Sequence, residues 1–184
     1  TFLKKRIPTM NRTLLAGTVA MAIVVLASNI LVQFLVGDWL TWGAFTYPFA
    51  FLVTDLTNRW FGPLRTRRVV YVGFAVAVAL SFWLSEPRIA VASGSAFLTA
   101  QLLDITVFNR LRAGSWWRAP LTSSTIGSCL DTVVFFSIAF AGTDVPWPTL
   151  ALGDFSVKMT VAVLSLLPYA SLMNWVKPYQ PVRN

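Results

Sequence analysis

Histidine is absent from this chain of 184 residues, and Cys129 is its single cysteine. Without histidine there is no Ser-His-Asp or Cys-His pair and no zinc-hydrolase ligand spacing. One thiol builds neither a disulfide nor a multi-cysteine metal site within one chain. Charge is scarce too: 12% of residues are charged against 56% hydrophobic, a balance far from that of soluble domains. The glycine-rich loop that cradles nucleotide phosphates is missing as well. These absences argue against an enzyme, a metal centre and a bound cofactor.

Long apolar runs are what the chain has instead. A helix needs ~20 residues to cross a hydrocarbon core of about 30 Å, and runs of that order lie at about 13–36, 42–61, 69–85, 89–109, 119–141 and 150–175. The expectation is an all-α fold, a polytopic membrane bundle of six transmembrane helices joined by short loops, with residues 1–184 forming a single membrane domain. A net charge of +8 on a soluble protein would raise the question of nucleic acid, but here the cations follow topology. Thirteen of the fifteen Lys and Arg residues lie before the first run, at or after the end of the second, between the fourth and fifth, or at the end of the chain. Only Arg88 breaks the loop asymmetry, and Lys158 lies within the sixth run. The positive-inside rule then puts both termini in the cytoplasm. No direct binding of nucleic acid is expected. Thr1 to Thr9 are basic and lead to no small-residue cleavage site, so the first helix is expected to stay in the mature protein.

Against this background three aspartates stand out: Asp55, Asp104 and Asp131 sit inside apolar runs. Each costs roughly 2.5–3.5 kcal/mol at the centre of a span, so such groups face a bundle interior or a solute pathway. Other polar residues gather near them. In the second run Pro48 favours a kink or a break, and Asp55, Asn58 and Arg59 crowd its last turns. In the fourth, Ala92, Ala96 and Ala100 form a small-residue stripe that ends in Asp104, with Gln101 on nearly the same face. This stripe suits packing within one chain or between copies in a homo-oligomer. In the fifth, which opens at Pro120, Ser124, Ser128 and Asp131 share a face. Lys158 can either snorkel outward or pair with a buried aspartate.

Several polar and aromatic residues have simpler readings. Ser28, Asn29 and Gln33 suit interhelical hydrogen bonding. The third run, with Gly73, Ala75, Ala77 and Ala79, reads as scaffold. Trp147, Trp175 and Tyr179 fall near helix ends and read as interfacial anchors, as do Trp116 and Trp117 unless they stack on a planar solute. The segments LVTDLTNRWF, LLDITVFNRL and CLDTVVFFSI weakly echo one another, as shared composition or a duplicated unit around one site would both produce.

A planar purine-like base would be served by this inventory. A carboxylate accepts two adjacent N–H donors in one plane, an amide reads a mixed donor and acceptor edge, and aromatic rings stack on the base for ~1–3 kcal/mol. Asp55, Asp104, Asp131, Asn58, Gln101, Phe51 and Tyr47 supply those groups. The inventory by itself does not name the solute. Carboxylates deprived of water can also carry protons.

YPFAFLVTDLTNRWFGPLRTRRVVYVGF, from Tyr47 to Phe74, resembles the signature segment of the queuosine-precursor transporter family, proteins of the vitamin-uptake type. AFLTAQLLDITVFNRLR, from Ala96 to Arg112, and WWRAPLTSSTIGSCLDTVVFFSIAF, from Trp116 to Phe140, are similar to the family's other characteristic stretches, in the same order. The resemblance implies uptake of 7-deazaguanine queuosine precursors, the 7-cyano and 7-aminomethyl bases, across the bacterial inner membrane for tRNA modification. The positions that match its motifs are Asp55, Asn58, Arg59, Gln101, Asp104, Ser123, Ser124 and Asp131.

The expected transporter binds its base near mid-membrane. Asp55 with Asn58 would read the edge, while Gln101 with Asp104 and Ser128 with Asp131 line the opposite walls. Ser124 lies among these groups. Phe51, Tyr47 or Trp116 would stack, and Arg59 would pair with a carboxylate or sit at the cytoplasmic mouth. The partners expected are a small purine-like base and the lipid bilayer. Two other readings stay open at this point: the substrate-binding subunit of an energy-coupling-factor vitamin importer, which needs an ATPase partner, and an intramembrane aspartyl enzyme.

Overall fold

The computed structural model describes residues 12–31, 34–36, 40–84 and 87–180. The basic segment before Arg12, and Gln33, Asp38, Glu86 and Arg183, lie outside the described residues. Seven helices run in chain order: α1 Arg12–Leu31, α2 Gly43–Thr46, α3 Phe49–Phe61, α4 Pro63–Leu84, α5 Pro87–Leu111, α6 Arg118–Phe140 and α7 Trp147–Leu172. The only other regular structure among the described residues is a two-residue antiparallel pair, β1 Leu35–Val36 and β2 Leu40–Thr41, with Leu35 opposite Thr41. The helical class expected from the apolar runs therefore stands.

Several helix ends differ from the expected ones, each for a local reason. In the first run the described helix spans Arg12–Leu31 and Leu35–Val36 pairs as strand, because short apolar runs do not distinguish helix from strand by periodicity. The second run is two helices. Pro48 has no N–H to give, and Ala50 N–H to Tyr47 O (2.9 Å) and Phe51 N–H to Pro48 O (3.1 Å) close a tight turn between α2 and α3. Tyr47 and Pro48 both keep right-handed helical angles, so the chain direction is preserved across this break. Gly62, at φ +77°, turns the chain between α3 and α4, a conformation that glycine adopts without steric penalty. Proline at the first helical position then starts α4 six residues earlier than expected. Arg65, Arg67 and Arg68 thus stand exposed on the first turns of α4 instead of in a loop. The last helix begins at Trp147 rather than near 150, with Asp154 in its second turn.

By length and composition, α5, α6 and α7 can each cross a membrane, and α1 carries a shorter apolar stretch, Arg12–Ser28. The short helix α3 lies at the middle, packed against α1, α4, α5, α6 and α7. Its Ala50 joins Met21 and Val25 of α1, Val69 and Val70 of α4, and Phe97 and Ile105 of α5 in one apolar core. Small residues permit the close approaches. Ala92, Ala96 and Ala100 are buried on α5, and at Gly73 of α4 a Cβ would come within 2.6 Å of Met21. Large apolar side chains such as Ile23, Val133, Leu152, Leu164 and Leu167 point outward, where lipid replaces water as their solvent.

Candidate functional site

The break before α3 and the close packing around it bring polar side chains from five elements together. Asp55 is 2% exposed, and its two oxygens each accept one hydroxyl hydrogen bond: Oδ1 from Ser123 and Oδ2 from Ser124 of α6, both at 3.1 Å. Pro120 starts the turn that carries these serines, and Ser123 also bonds back to Pro120 O at 3.3 Å. On α5, Gln101 accepts a hydrogen bond from Thr54 through Oε1. Its Nε2 has no acceptor, and neither oxygen of Asp104 has a hydrogen-bond partner, though both residues are 0% exposed. Asp104 nevertheless lies within interaction range of Asp55 and Ser123.

A second polar group joins α6 to α7. Lys158 Nζ lies 2.7 Å from Asp131 Oδ2, contacts Asp154 one turn earlier on its own helix, and donates to Thr132 Oγ1 at 3.2 Å. Thr132 in turn donates to Asp154 Oδ2 at 2.9 Å. Tyr47, at the helix break, donates its hydroxyl to Asp131 Oδ1 at 2.9 Å and holds its ring 5.4 Å from the Lys158 ammonium. Of the two readings of Lys158, pairing is therefore the one realised. Asp154 and Lys158 stand four residues apart on α7, a spacing that puts them on one helix face.

Between α3, α6 and α7 lies a cavity lined by Phe51, Asp55, Ser124, Ser128, Ser165 and Tyr169, among others. Its free space, about 10 Å³, matches one water molecule and is far below the roughly 300–1,000 Å³ of ordinary ligand pockets. The hydroxyls of Ser128, Ser165 and Tyr169 are buried there without hydrogen-bond partners. Phe51 reaches this position because residue 127 is glycine, where a Cβ would fall 2.6 Å from the ring. The ring of Tyr47 meets that of Phe51 edge-on at 6.2–6.4 Å, as it does the ring of Phe97. Tyr169 and Ser165 were not singled out in the sequence, since a tyrosine and a serine in an apolar helix carry no spacing signal.

Other expected site residues gather elsewhere. Asn58 donates from Nδ2 to Ile105 O at 3.1 Å and accepts at Oδ1 from Arg112 at 2.7 Å. Arg59 and Trp60 donate to Met173 O at 3.4 and 3.2 Å. Arg112 also lies over the Tyr179 ring at 5.2 Å and donates to Tyr179 O, while that ring packs against Gly62. Tyr179, expected as a lipid anchor, instead straps the chain end across the ends of α3 and α5. Trp116 is 43% exposed before α6 and does not line the cavity. Among the described residues no three His, Cys, Asp or Glu side chains are grouped to hold a metal ion.

Apolar helices that surround buried carboxylates, a broken helix at the site and unpartnered hydroxyls around a small cavity are features that membrane transporters of small solutes share. The family is shown by comparison: residues 41–86 and 79–173 match the profile described as "Putative vitamin uptake transporter", and the chain belongs to that family. It is 37% identical to the "Queuosine precursor transporter" of Escherichia coli (strain K12), over 83% of this chain and 82% of that protein. It is 38% identical to the "Probable queuosine precursor transporter" of Haemophilus influenzae over 73% of this chain and 68% of that one, and 28% identical to its namesake in Bacillus subtilis over 71% and 69%. No solved structure matches the chain.

Proposed function

We propose that this protein imports 7-deazaguanine precursors of queuosine, the 7-cyano and 7-aminomethyl bases, across the bacterial inner membrane. In this reading it forms a single six-span membrane domain with both termini in the cytoplasm, and the break at Pro48 belongs to one span made of α2 and α3. The observation that carries the reading is Asp55. Its two oxygens are held by two serine hydroxyls, and it faces a cavity walled on one side by the Phe51 ring. Each oxygen keeps a free lone pair, so the carboxylate can accept a ring N–H and an adjacent amino group together. Phe51 stacks on the base, and Ser128, Ser165 and Tyr169 offer hydroxyls to its remaining polar atoms. The relatives named as queuosine precursor transporters support this choice of solute.

The remaining residues take supporting roles. Asp104 and Gln101 lie behind Asp55, and Asp131, Lys158 and Tyr47 tie α6, α7 and the broken helix together one step further along. Asn58, Arg59 and Arg112 hold the other end. A base does not fit the present cavity, so this is a closed conformation, and α7 must part from α3 and α6 to admit the solute. Binding of 7-cyano-7-deazaguanine and 7-aminomethyl-7-deazaguanine to purified protein, with guanine as control, tests the reading. Saturable binding that disappears in Asp55→Asn is the expected result. Normal binding by that variant would refute the site, and failure of both bases to bind would refute the solute.

A further inference from the structure

Asp55 and Asp104 stand together without a countercharge. The register of α3 against α5 puts them there: Thr54 bonds to Gln101 and Asn58 to Ile105, so the turn that carries Asp55 lies along the turn that carries Asp104. Ser123 donates to Asp55 and lies within range of Asp104 as well. The groups around the pair are uncharged: Ser123 and Ser124 of α6 donate to Asp55, Tyr169 of α7 lies within its range, and the neighbouring polar side chains on α3 and α5, Thr54, Asn58 and Gln101, are neutral too. Arg59, one turn beyond Asp55, is spent on Met173 O and lies near Tyr169. Among the described residues the ion pairs are those of Lys158 with Asp131 and Asp154, and none reaches Asp55 or Asp104.

Both carboxyls are fully enclosed, and Asp104 has no hydrogen bond at either oxygen. Two ionised carboxylates side by side without water both lose their solvation and also repel one another. One proton removes both problems, because the pair then carries a single charge, as in other adjacent carboxyl pairs. We propose that the Asp55–Asp104 pair is a proton-binding site, and that binding of the base fixes the shared proton on Asp104. The second half of this statement rests on the solute reading given above. The donor edge of the base needs Asp55 ionised. A second proton on the pair would set donor against donor, and loss of the last proton would leave Asp104 charged with nothing to meet it. No covalent bond changes; the proton only moves within the pair.

Two measurements test this. Infrared spectra of the purified protein at neutral pH should contain a buried carboxylic-acid C=O band that shifts in D₂O and is absent from Asp104→Asn. A wild type without that band overturns the proposal whatever the base does. Binding of 7-cyano-7-deazaguanine should be tightest at an intermediate pH, with Kd rising about tenfold per pH unit on the acid side as one proton competes, and rising again on the alkaline side. Asp104→Asn, checked for monodispersity, should lose the alkaline rise. A flat wild-type profile, or an alkaline rise that survives in Asp104→Asn, would overturn the linkage. Absence of binding at every pH refutes the solute reading, and the infrared band then decides the proton site alone.

Discussion

Lys158→Met is the sharpest perturbation of the network that joins α6 to α7. Lys158 is 4% exposed, and its ammonium serves two carboxylates, a threonine hydroxyl and the face of a tyrosine ring. The triad of Lys158, Asp131 and Asp154 carries a net charge of −1. Methionine, similar in size, leaves two carboxylates with no cation, and breaking a buried pair in this way costs about 3–5 kcal/mol. Asp131→Asn behaves differently. It leaves Lys158 paired with Asp154, a neutral couple, and keeps an amide oxygen for Tyr47, so the loss is that of one charged hydrogen bond, about 1.5–3 kcal/mol. Unfolding midpoints of purified protein in detergent should therefore fall in the order wild type, Asp131→Asn, Lys158→Met. The double variant should recover part of the loss of Lys158→Met, because one of the stranded charges is gone. A Lys158→Met protein as stable as Asp131→Asn would show that Lys158 reaches solvent and that the ion network does not hold these helices.

Gly127→Ala should weaken binding of the base more than it weakens the fold: its Cβ would displace the Phe51 ring, an overpacking worth about 1–3 kcal/mol of stability, and calorimetric titration against thermal unfolding separates the two effects. Asn58→Ala removes the side-chain bonds to Ile105 O and Arg112, while Arg112 keeps its bond to the backbone carbonyl of residue 58; losing the bond to the charged group costs about 1.5–3 kcal/mol, which a lowered unfolding midpoint would register.

Legibility differed by element. The long apolar runs named the helices because crossing a membrane leaves little freedom in length and composition. Their ends were less readable, since Pro63 starts α4 early and Leu35–Val36 pairs as strand inside an apolar run. Asp55, Ser124 and Phe51 were picked out by type and come together at the cavity, whereas Asn58 and Arg59, the most distinctive pair in the second run, turn to Ile105, Arg112 and Met173. Asp154 lay inside the sixth run in either case, but its partnership with Thr132 of α6 needed the packing of α6 on α7.

Sequence alone determined that this is a membrane protein, and it singled out the few charges within its apolar runs, because a carboxylate in hydrocarbon is unfavourable enough to be rare. It also pointed to the family. Which carboxylates stand together was decided only by tertiary packing. Helix register and crossing depend on glycine and alanine contacts across helices, and these set Asp131 against Lys158 while leaving Asp55 beside Asp104 among serine hydroxyls.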